Sequence, residues 1–278
     1  MSSRTDYPSV GSHLIVTFPM AKVLQLRLNR PEALNAMTDE LENDIRKVMD
    51  WFEQEPSLWV VVITGTGRSF CAGQDLKNWN QTAGTNDSPT HKIKSNPFGF
   101  GSLARRTSNK VLIAACNGMA FGGGVELLLN CDIVIGCQGA KLGLPEVKRG
   151  VVASVGGIPN LVTKCPALIP YVLTGEPMPQ HLLIGSVLTE VVHADKVVST
   201  ALGWASKVIS CSPDAVQVTK QQINLHKDGL GIHQVVYKSL ETELAQRLYS
   251  GQNLKEGLKA FVEKRPPQWQ DPPRLSKL

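Results

Sequence analysis

The stretch Asn117-Gly-Met-Ala-Phe-Gly-Gly-Gly-Val-Glu126 decides the fold of this chain. It follows Val111-Leu-Ile-Ala-Ala115, a short apolar run typical of a buried strand, and it leads into Leu127-Leu-Leu129, which indicates the start of a helix. Glycine lets the backbone approach a ligand closely and lets N–H groups point outward. A helix that begins after Gly124 adds its positive dipole at the same place. The stretch therefore predicts a strand–turn–helix unit that can hold a negative charge.

A second glycine-containing turn, Ser69-Phe-Cys-Ala-Gly-Gln-Asp-Leu76, also follows a buried strand. N–H groups from two such turns, aimed at one point, can bind an oxyanion as it develops in a reaction. Two tight turns without any ligand are the alternative, and each turn taken alone favours that alternative.

Apolar patterning predicts the elements around these two turns. Strands are expected at 12–18, 22–28, Trp59–Ile63, Val111–Ala115 and Asp132–Ile135. An amphipathic helix is expected to begin at Thr38 or Asp39, with Glu42 completing a capping box from Asp39, and to end at Pro56. The pattern is strand, strand, helix, and it repeats as far as about residue 195.

Helical periodicity dominates after that point, over 195–210, 212–227, 232–250 and 253–264. The tail contains Pro266, Pro267, Pro272 and Pro273, which predict an extended and exposed segment. The chain is therefore expected to divide into an α/β core over 1–195 that carries the active site, a helical region over 196–265 and a tail over 266–278.

Composition excludes several classes of function. The 278 residues are 42% hydrophobic and 19% charged, an ordinary globular composition, and no apolar run is long enough for a membrane span. A polar start argues against secretion, and six Cys without a C-x-x-C pair indicate free thiols in a reducing compartment. The net charge of +5 favours a small anionic ligand and is too weak to indicate nucleic acid. The six His lack ligand spacing, so no metal is expected.

Taken together and in order, the motifs closely resemble those of the crotonase family of enoyl-CoA hydratases and isomerases. The matching segments are Leu28–Ala36, Phe70–Leu76, Ala115–Asp132, Leu142–Glu146 and Phe261–Arg265. The resemblance implies an α/β fold, a crotonase-like spiral of ββα repeats with a C-terminal helical trimerisation region. It also implies a homotrimer or a dimer of trimers.

The resemblance implies a site for an acyl-CoA thioester. The backbone N–H groups of Gln74 and Gly123 would form the oxyanion hole for the thioester carbonyl oxygen. Coenzyme A contacts are implied for Arg30, Ala33, Ala72, Leu76, Phe261 and Lys264. Coenzyme A is part of the substrate, so no separate cofactor is expected. The mild positive net charge of the chain fits binding of the coenzyme A phosphates.

Two carboxylates match the acid–base pair of the family's hydratases. Glu126 and Glu146 are 20 residues apart, which resembles the hydratase spacing. Neighbouring carboxyl groups in a partly dry site push one pKa upward, which leaves one acid and one base near neutrality. Retention of both favours enoyl-CoA hydratase over the delta-isomerase. A dehydratase of a specialised acyl-CoA and a non-catalytic acyl-CoA-binding subunit are the remaining alternatives.

One segment departs from the common hydratase pattern. Ala153-Ser154 stands where those enzymes usually carry a Pro-Gly pair, so the standard short-chain fatty acyl group is in doubt. Ser154 and the aromatic residues of the long loop over 78–101, Trp79, Phe98 and Phe100, are candidates for the acyl or water pocket.

The chain ends in Ser276-Lys277-Leu278, a peroxisomal address that an import receptor reads at an exposed C-terminus. A peroxisomal location suits acyl-CoA chemistry. Fatty-acid β-oxidation is the first expectation for the pathway, and specialised metabolism is the second.

Overall fold

The structure is a computed structural model that describes residues 6–75 and 95–274 of the chain. The described strands are β1 Leu14–Met20, β2 Val23–Leu28, β3 Val60–Gly65, β4 Ser69–Cys71, β5 Val111–Cys116, β6 Met119–Phe121, β7 Ile133–Cys137, β8 Leu142–Gly143 and β9 Glu190–Val192. The described α-helices are α1 Asp39–Gln54, α2 Gly123–Asn130, α3 Gly157–Lys164, α4 Ile169–Thr174, α5 Gln180–Leu183, α6 Val197–Ile209, α7 Pro213–Lys227, α8 Ile232–Leu240, α9 Glu243–Ser250 and α10 Gln252–Glu263.

A six-stranded sheet in the order β1-β2-β3-β5-β7-β9 forms the centre of the molecule. Strand β1 is antiparallel to β2, and the remaining pairs are parallel. Every residue of β3 and β5 is buried, which explains why both strands are continuous apolar runs. Helix α1 covers one face through Leu41, Ile45 and Phe52, and helix α6 packs on the other face.

A second sheet of three short parallel strands, in the order β4-β6-β8, positions the site. Each of these strands follows one strand of the main sheet along the chain, and β6 leads directly into α2. Ser69 of β4 pairs with Met119 of β6, so the two glycine-containing turns leave neighbouring strands side by side. The predicted strand–strand–helix arrangement of an α/β crotonase-like fold is confirmed here.

The capping box predicted at the start of α1 is wrong. Thr38 is the N-cap, and its hydroxyl accepts a hydrogen bond from the N–H of Leu41 at 3.2 Å. The Glu42 side chain instead accepts hydrogen bonds from the amide of Asn96 and from the N–H of Ser102. The Glu42 carboxylate therefore bonds residues that are distant in the chain instead of capping its own helix.

The helix predicted over 232–250 is two helices, α8 and α9. Thr242 N-caps α9 by accepting a hydrogen bond from the N–H of Ala245 at 3.3 Å. A threonine hydroxyl competes with the helical hydrogen bonds in this way, and it starts a new helix at that position. Among the described residues, no helix combines the length and the apolar character that a membrane span requires.

The tail is extended as far as Arg274, but it is not exposed throughout as predicted. The Trp269 indole donates to the carbonyl of Ser210 at 2.8 Å and packs against the α6 side of the core. Asp271 accepts hydrogen bonds from Lys22 Nζ at 2.6 Å and from Trp59 Nε1 at 2.9 Å. Aromatic and charged residues between the prolines thus fasten the segment to the body. The proposed division into three domains stays a prediction.

Candidate active site

The two glycine-containing turns meet at the ends of β4 and β6. Gly73 has a φ of +95°, and a Cβ at this position would lie 2.9 Å from the carbonyl oxygen of Phe121 and 3.6 Å from the nitrogen of Gly123. Within the described residues, neither the Gln74 N–H nor the Gly123 N–H donates a hydrogen bond. Two unengaged N–H groups at the junction of two turns can accept a ligand oxygen between them.

The triple glycine is required by packing. A Cβ at Gly124 would lie 2.2 Å from the carbonyl oxygen of Cys71, and a Cβ at Gly123 would lie 2.3 Å from the Phe100 ring. Gly122 has a φ of +55°, and a Cβ there would lie 2.8 Å from Glu146 Oε1. The N-terminus of α2 can therefore lie this close to β4, Phe100 and Glu146 only because positions 122–124 have no side chains.

These turns form one wall of a cavity of about 560 Å³. Its lining includes Ala72, Gln74, Phe100, Gly123, Glu126, Glu146 and Ser154 from the predicted site. Lys148 and Arg149 add positive charge to the lining, and Asp39, Glu42 and Asn96 make a further part of the wall polar.

Glu126 lies in the first turn of α2 and is 3% exposed. Its Oε1 accepts hydrogen bonds from the N–H of Gly157 at 2.9 Å and from the N–H of Val155 at 3.1 Å. The pKa of this carboxyl group is raised to about 7: burial is the main cause and the charge of Glu146 adds to the rise, whereas the two N–H bonds oppose it.

Glu146 lies on a 3₁₀ helix, Pro145–Arg149, that faces the end of β6. Burial raises the pKa of its carboxyl group, and the nearby Arg149 acts in the opposite direction. Its Oε2 is buried and has no hydrogen-bond partner among the described residues. An oxygen without a partner in a cavity wall is available to a bound water or substrate.

Other predicted site residues lie away from the cavity lining. Arg30 donates to the carbonyl of Ala36 at 2.6 Å and to Asp75 at 3.1 Å, so it braces the turn that carries Gln74. Ala33 lies on the neighbouring 3₁₀ helix, Pro31–Ala33. The coenzyme A contacts that the resemblance implies for these two residues therefore stay predictions.

Three aromatic or basic candidates are also outside the lining. The Phe98 ring stacks 3.8 Å from the Arg106 guanidinium carbon. Phe261 is 84% exposed at the end of α10, and Lys264 follows as its exposed C-cap. Leu76, Trp79 and the tripeptide Ser276, Lys277 and Leu278 lie outside the described residues.

The N–H groups that hold Glu126 were not identified from the sequence. Both belong to the turn before α3, where Gly156 adopts a φ of +111° and Gly157 begins the helix. The Gly156-Gly157 pair is the signal that indicates this turn. Glu42 and Asn96 were also missed as cavity residues, because their link runs between distant segments.

Two N–H groups directed to one point and two carboxyl groups with raised pKa values around one cavity suit acid–base chemistry on an acyl group. Among the described residues, no group of His, Cys, Asp or Glu has the arrangement of a metal site. A ββα spiral that brings together these parts defines a protein of the crotonase class.

Comparison with known proteins supports this class. The enoyl-CoA hydratase/isomerase family model matches residues 20–272. A mevalonyl-coenzyme A hydratase of Aspergillus fumigatus is 37% identical over 96% of this chain and 98% of that protein. The (E)-benzylidenesuccinyl-CoA hydratase of Thauera aromatica is 34% identical over 88% and 94%, respectively. A crystal structure of an enoyl-CoA hydratase from Mycobacterium tuberculosis has a TM-score of 0.82 at 28% identity, over 94% of this chain and 100% of that one.

The chain belongs to the enoyl-CoA hydratase/isomerase family, and the resemblance noted in the sequence is confirmed.

The contact between Gly157 and Glu126 gives a testable prediction. A Cβ at Gly157 would lie 2.7 Å from Glu126 Cγ and 2.8 Å from Oε1, so Gly157→Ala displaces the carboxylate. We expect kcat for hydration of a 2-enoyl-CoA to fall roughly 10- to 100-fold. Gly203→Ala is the control, because a Cβ there meets nothing within 4 Å. Equal kcat values for the two variants would contradict the assignment.

The raised pKa of Glu126 predicts a pH-dependent stability. The folded protein binds this proton more tightly than the unfolded chain, so the stabilisation is full below pH 4.5 and is lost as the pH rises through about 7. Glu126→Gln lacks this loss. The free energy of unfolding of Glu126→Gln, relative to wild type, should therefore rise by about 3 kcal/mol between these two pH values. Urea titrations measure it; a difference that stays flat with pH refutes the prediction.

Proposed function

We propose that this chain is a hydratase that adds water reversibly to a 2-enoyl-CoA thioester and yields a 3-hydroxyacyl-CoA. The observation that carries the proposal is the placement of Glu126 and Glu146 in one cavity with the N–H groups of Gln74 and Gly123. Family membership supports a hydratase or isomerase, and the two carboxyl groups favour hydration.

In the proposed reaction the thioester carbonyl oxygen accepts hydrogen bonds from the Gln74 and Gly123 N–H groups. Attack of water on the β-carbon breaks the α,β π-bond and moves its electron pair toward that oxygen as an enolate. The two N–H groups and the dipole of α2 stabilise the new negative charge. A single water thus supplies the β-hydroxyl group.

The two glutamates divide the proton transfers. One carboxylate removes a proton from the attacking water, and the other, protonated, donates a proton to the α-carbon. Burial raises the pKa values of both groups, to about 7 for Glu126, so a singly protonated pair is populated near neutrality. Each transfer contributes roughly 10²- to 10⁴-fold to the rate. The net change is addition of one water, and the reverse path is dehydration.

We further propose a specialised acyl group instead of a simple fatty acyl chain. Similarity to a mevalonyl-CoA hydratase and to an (E)-benzylidenesuccinyl-CoA hydratase supports this choice. Both acyl groups carry polar or bulky substituents beyond the thioester. The cavity likewise has polar side chains in addition to the glutamate pair, and Ser154 is one of them.

A trimer or a dimer of trimers belongs to the same proposal. Large apolar side chains are exposed on the C-terminal helices: Tyr237 is 67% exposed, Leu258 62%, Phe261 84% and Val262 79%. Packing against further copies of the chain would remove such side chains from water. Coenzyme A enters as part of the substrate, and no separate cofactor is proposed.

Substitution of each glutamate tests the reaction. Glu126→Gln and Glu146→Gln should each lower kcat for crotonyl-CoA or a branched 2-enoyl-CoA by roughly 10²- to 10⁴-fold while coenzyme A binding persists. Absorbance loss of the enoyl thioester measures the rate. Glu241→Gln, an exposed glutamate after α8, is the matched control and should keep wild-type activity.

Two outcomes would reject the proposal in favour of a named alternative. A wild-type protein that binds coenzyme A but is inert on a panel of 2-enoyl-CoAs is a binding subunit. Conversion of a 3-enoyl-CoA to a 2-enoyl-CoA without hydration identifies an isomerase.

We also propose that the protein is imported into peroxisomes through Ser276-Lys277-Leu278. A fluorescent reporter that carries residues 266–278 should enter peroxisomes, and the same reporter without the last three residues should remain in the cytosol. Cytosolic fluorescence from both reporters would refute the proposed import signal and would leave the enzymatic proposal intact.

A further inference from the structure

The first turn of α1 adjoins the oxyanion-hole turn. The N–H of Met37 donates to the carbonyl of Gly73 at 2.8 Å, and the N–H of Asp75 donates to the carbonyl of Met37 at 3.0 Å. Helix α1 begins two residues after Met37, and its Asp39 and Glu42 both line the cavity. The backbone around Gln74 therefore fixes where these side chains stand.

Glu42 is held in place by several contacts. Its Oε1 accepts a hydrogen bond from the N–H of Ser102 at 3.3 Å and another from the Asn96 side-chain amide. The Asn96 amide also donates to the carbonyl of Gly99 at 2.9 Å, and its Oδ1 accepts from the N–H of Phe98 at 3.0 Å. Both partners are thus fixed before a substrate arrives.

The contacts that hold Glu42 continue, through Ser102 and Phe100, to Gly123. Ser102 ends a 3₁₀ helix that starts at Phe100, and the Phe100 ring packs against Gly123 of the oxyanion hole. Arg105 donates to the carbonyl of Asn96 at 2.6 Å. Glu42 thus lines the same cavity as Glu126 and Glu146, in a wall that an acyl group can contact.

A carboxylate in such a wall selects among acyl groups. An alkyl chain placed against Glu42 offers this carboxylate no hydrogen bond, whereas a hydroxyl group donates one in addition to those from Asn96 and Ser102. Asp39 adds negative charge to the same wall and favours a donor over an acceptor.

We propose that Glu42, supported by Asn96, is a specificity-determining residue that accepts a hydrogen bond from a hydroxyl group carried by the acyl chain beyond the β-carbon. The inference rests on the proposed function, because it names the substrate class of that site. A mevalonyl-type acyl group, with a hydroxyl on C5 and a methyl branch on C3, has the required donor.

A pair of substrates that differ only in that hydroxyl tests the inference. The substrates are 5-hydroxy-3-methylpent-2-enoyl-CoA and 3-methylpent-2-enoyl-CoA, and the measured quantity is the ratio of their kcat/KM values. We expect wild type to favour the hydroxylated substrate by at least about tenfold. Glu42→Leu should reduce that ratio roughly 10- to 100-fold, and Glu42→Gln, which keeps an acceptor oxygen, should reduce it less.

Glu40→Leu is the matched control. It alters the same helical turn, but Glu40 is directed toward His13 and Gly11 instead of the cavity. Its ratio should equal that of wild type. Because the ratio compares two substrates on one preparation, a partly folded variant does not change it. A ratio in Glu42→Leu equal to wild type overturns the inference.

Failure of the proposed function is distinguishable from failure of this inference. If wild type hydrates neither substrate, the proposed hydration fails, and calorimetry with two saturated thioesters decides the inference alone. These are 5-hydroxy-3-methylpentanoyl-CoA and 3-methylpentanoyl-CoA. Tighter binding of the hydroxylated thioester that is lost in Glu42→Leu supports the role of Glu42, and equal affinities overturn it.

Discussion

The structure depends on the close approach of the N-terminus of α2 to the short strand β4. A side chain at Gly124 would collide with the Cys71 carbonyl, and one at Gly123 would collide with the Phe100 ring. This contact brings the ends of β4 and β6 together and leaves two N–H groups at their junction. The three-stranded sheet, the start of α2 and the cavity wall follow from one constraint, which only glycine satisfies.

The same close approach also sets the pKa of Glu126. Burial of Glu126 in the first turn of α2 disfavours its charge, and the dipole of α2 together with the N–H groups of Val155 and Gly157 favours it. Burial is the larger of the two effects and raises the pKa to about 7, so the carboxyl group changes protonation near neutral pH. A more exposed glutamate would stay ionised, and one without these N–H groups would hold its proton more firmly.

Local sequence signals predicted the strands, through their apolar runs, and the two glycine turns. The crotonase-like fold and the roles of Gln74, Gly123 and Glu126 came from the family resemblance that the ordered motifs carry. Signals failed where a tertiary partner replaced a local one. Glu42 matched a capping box, yet its side chain bonds Asn96 and Ser102, more than 50 residues away.

Buried polar contacts join helix α7 to the edge of the sheet and helix α9 to α7, in addition to the apolar packing of α6. Lys220 of α7 donates to the carbonyl of Lys110 at 3.1 Å and pairs with Asp132, and Arg247 of α9 pairs with Asp214 at 2.5 Å. Burial lowers the pKa of Lys110 to about 8, although the nearby Glu53 and Glu55 carboxylates oppose the change. Such pairs contribute little net stability but admit only one arrangement of partners. They therefore fix how the helices pack on the body of the molecule, while large apolar side chains on the outer faces of α8 and α10 remain exposed.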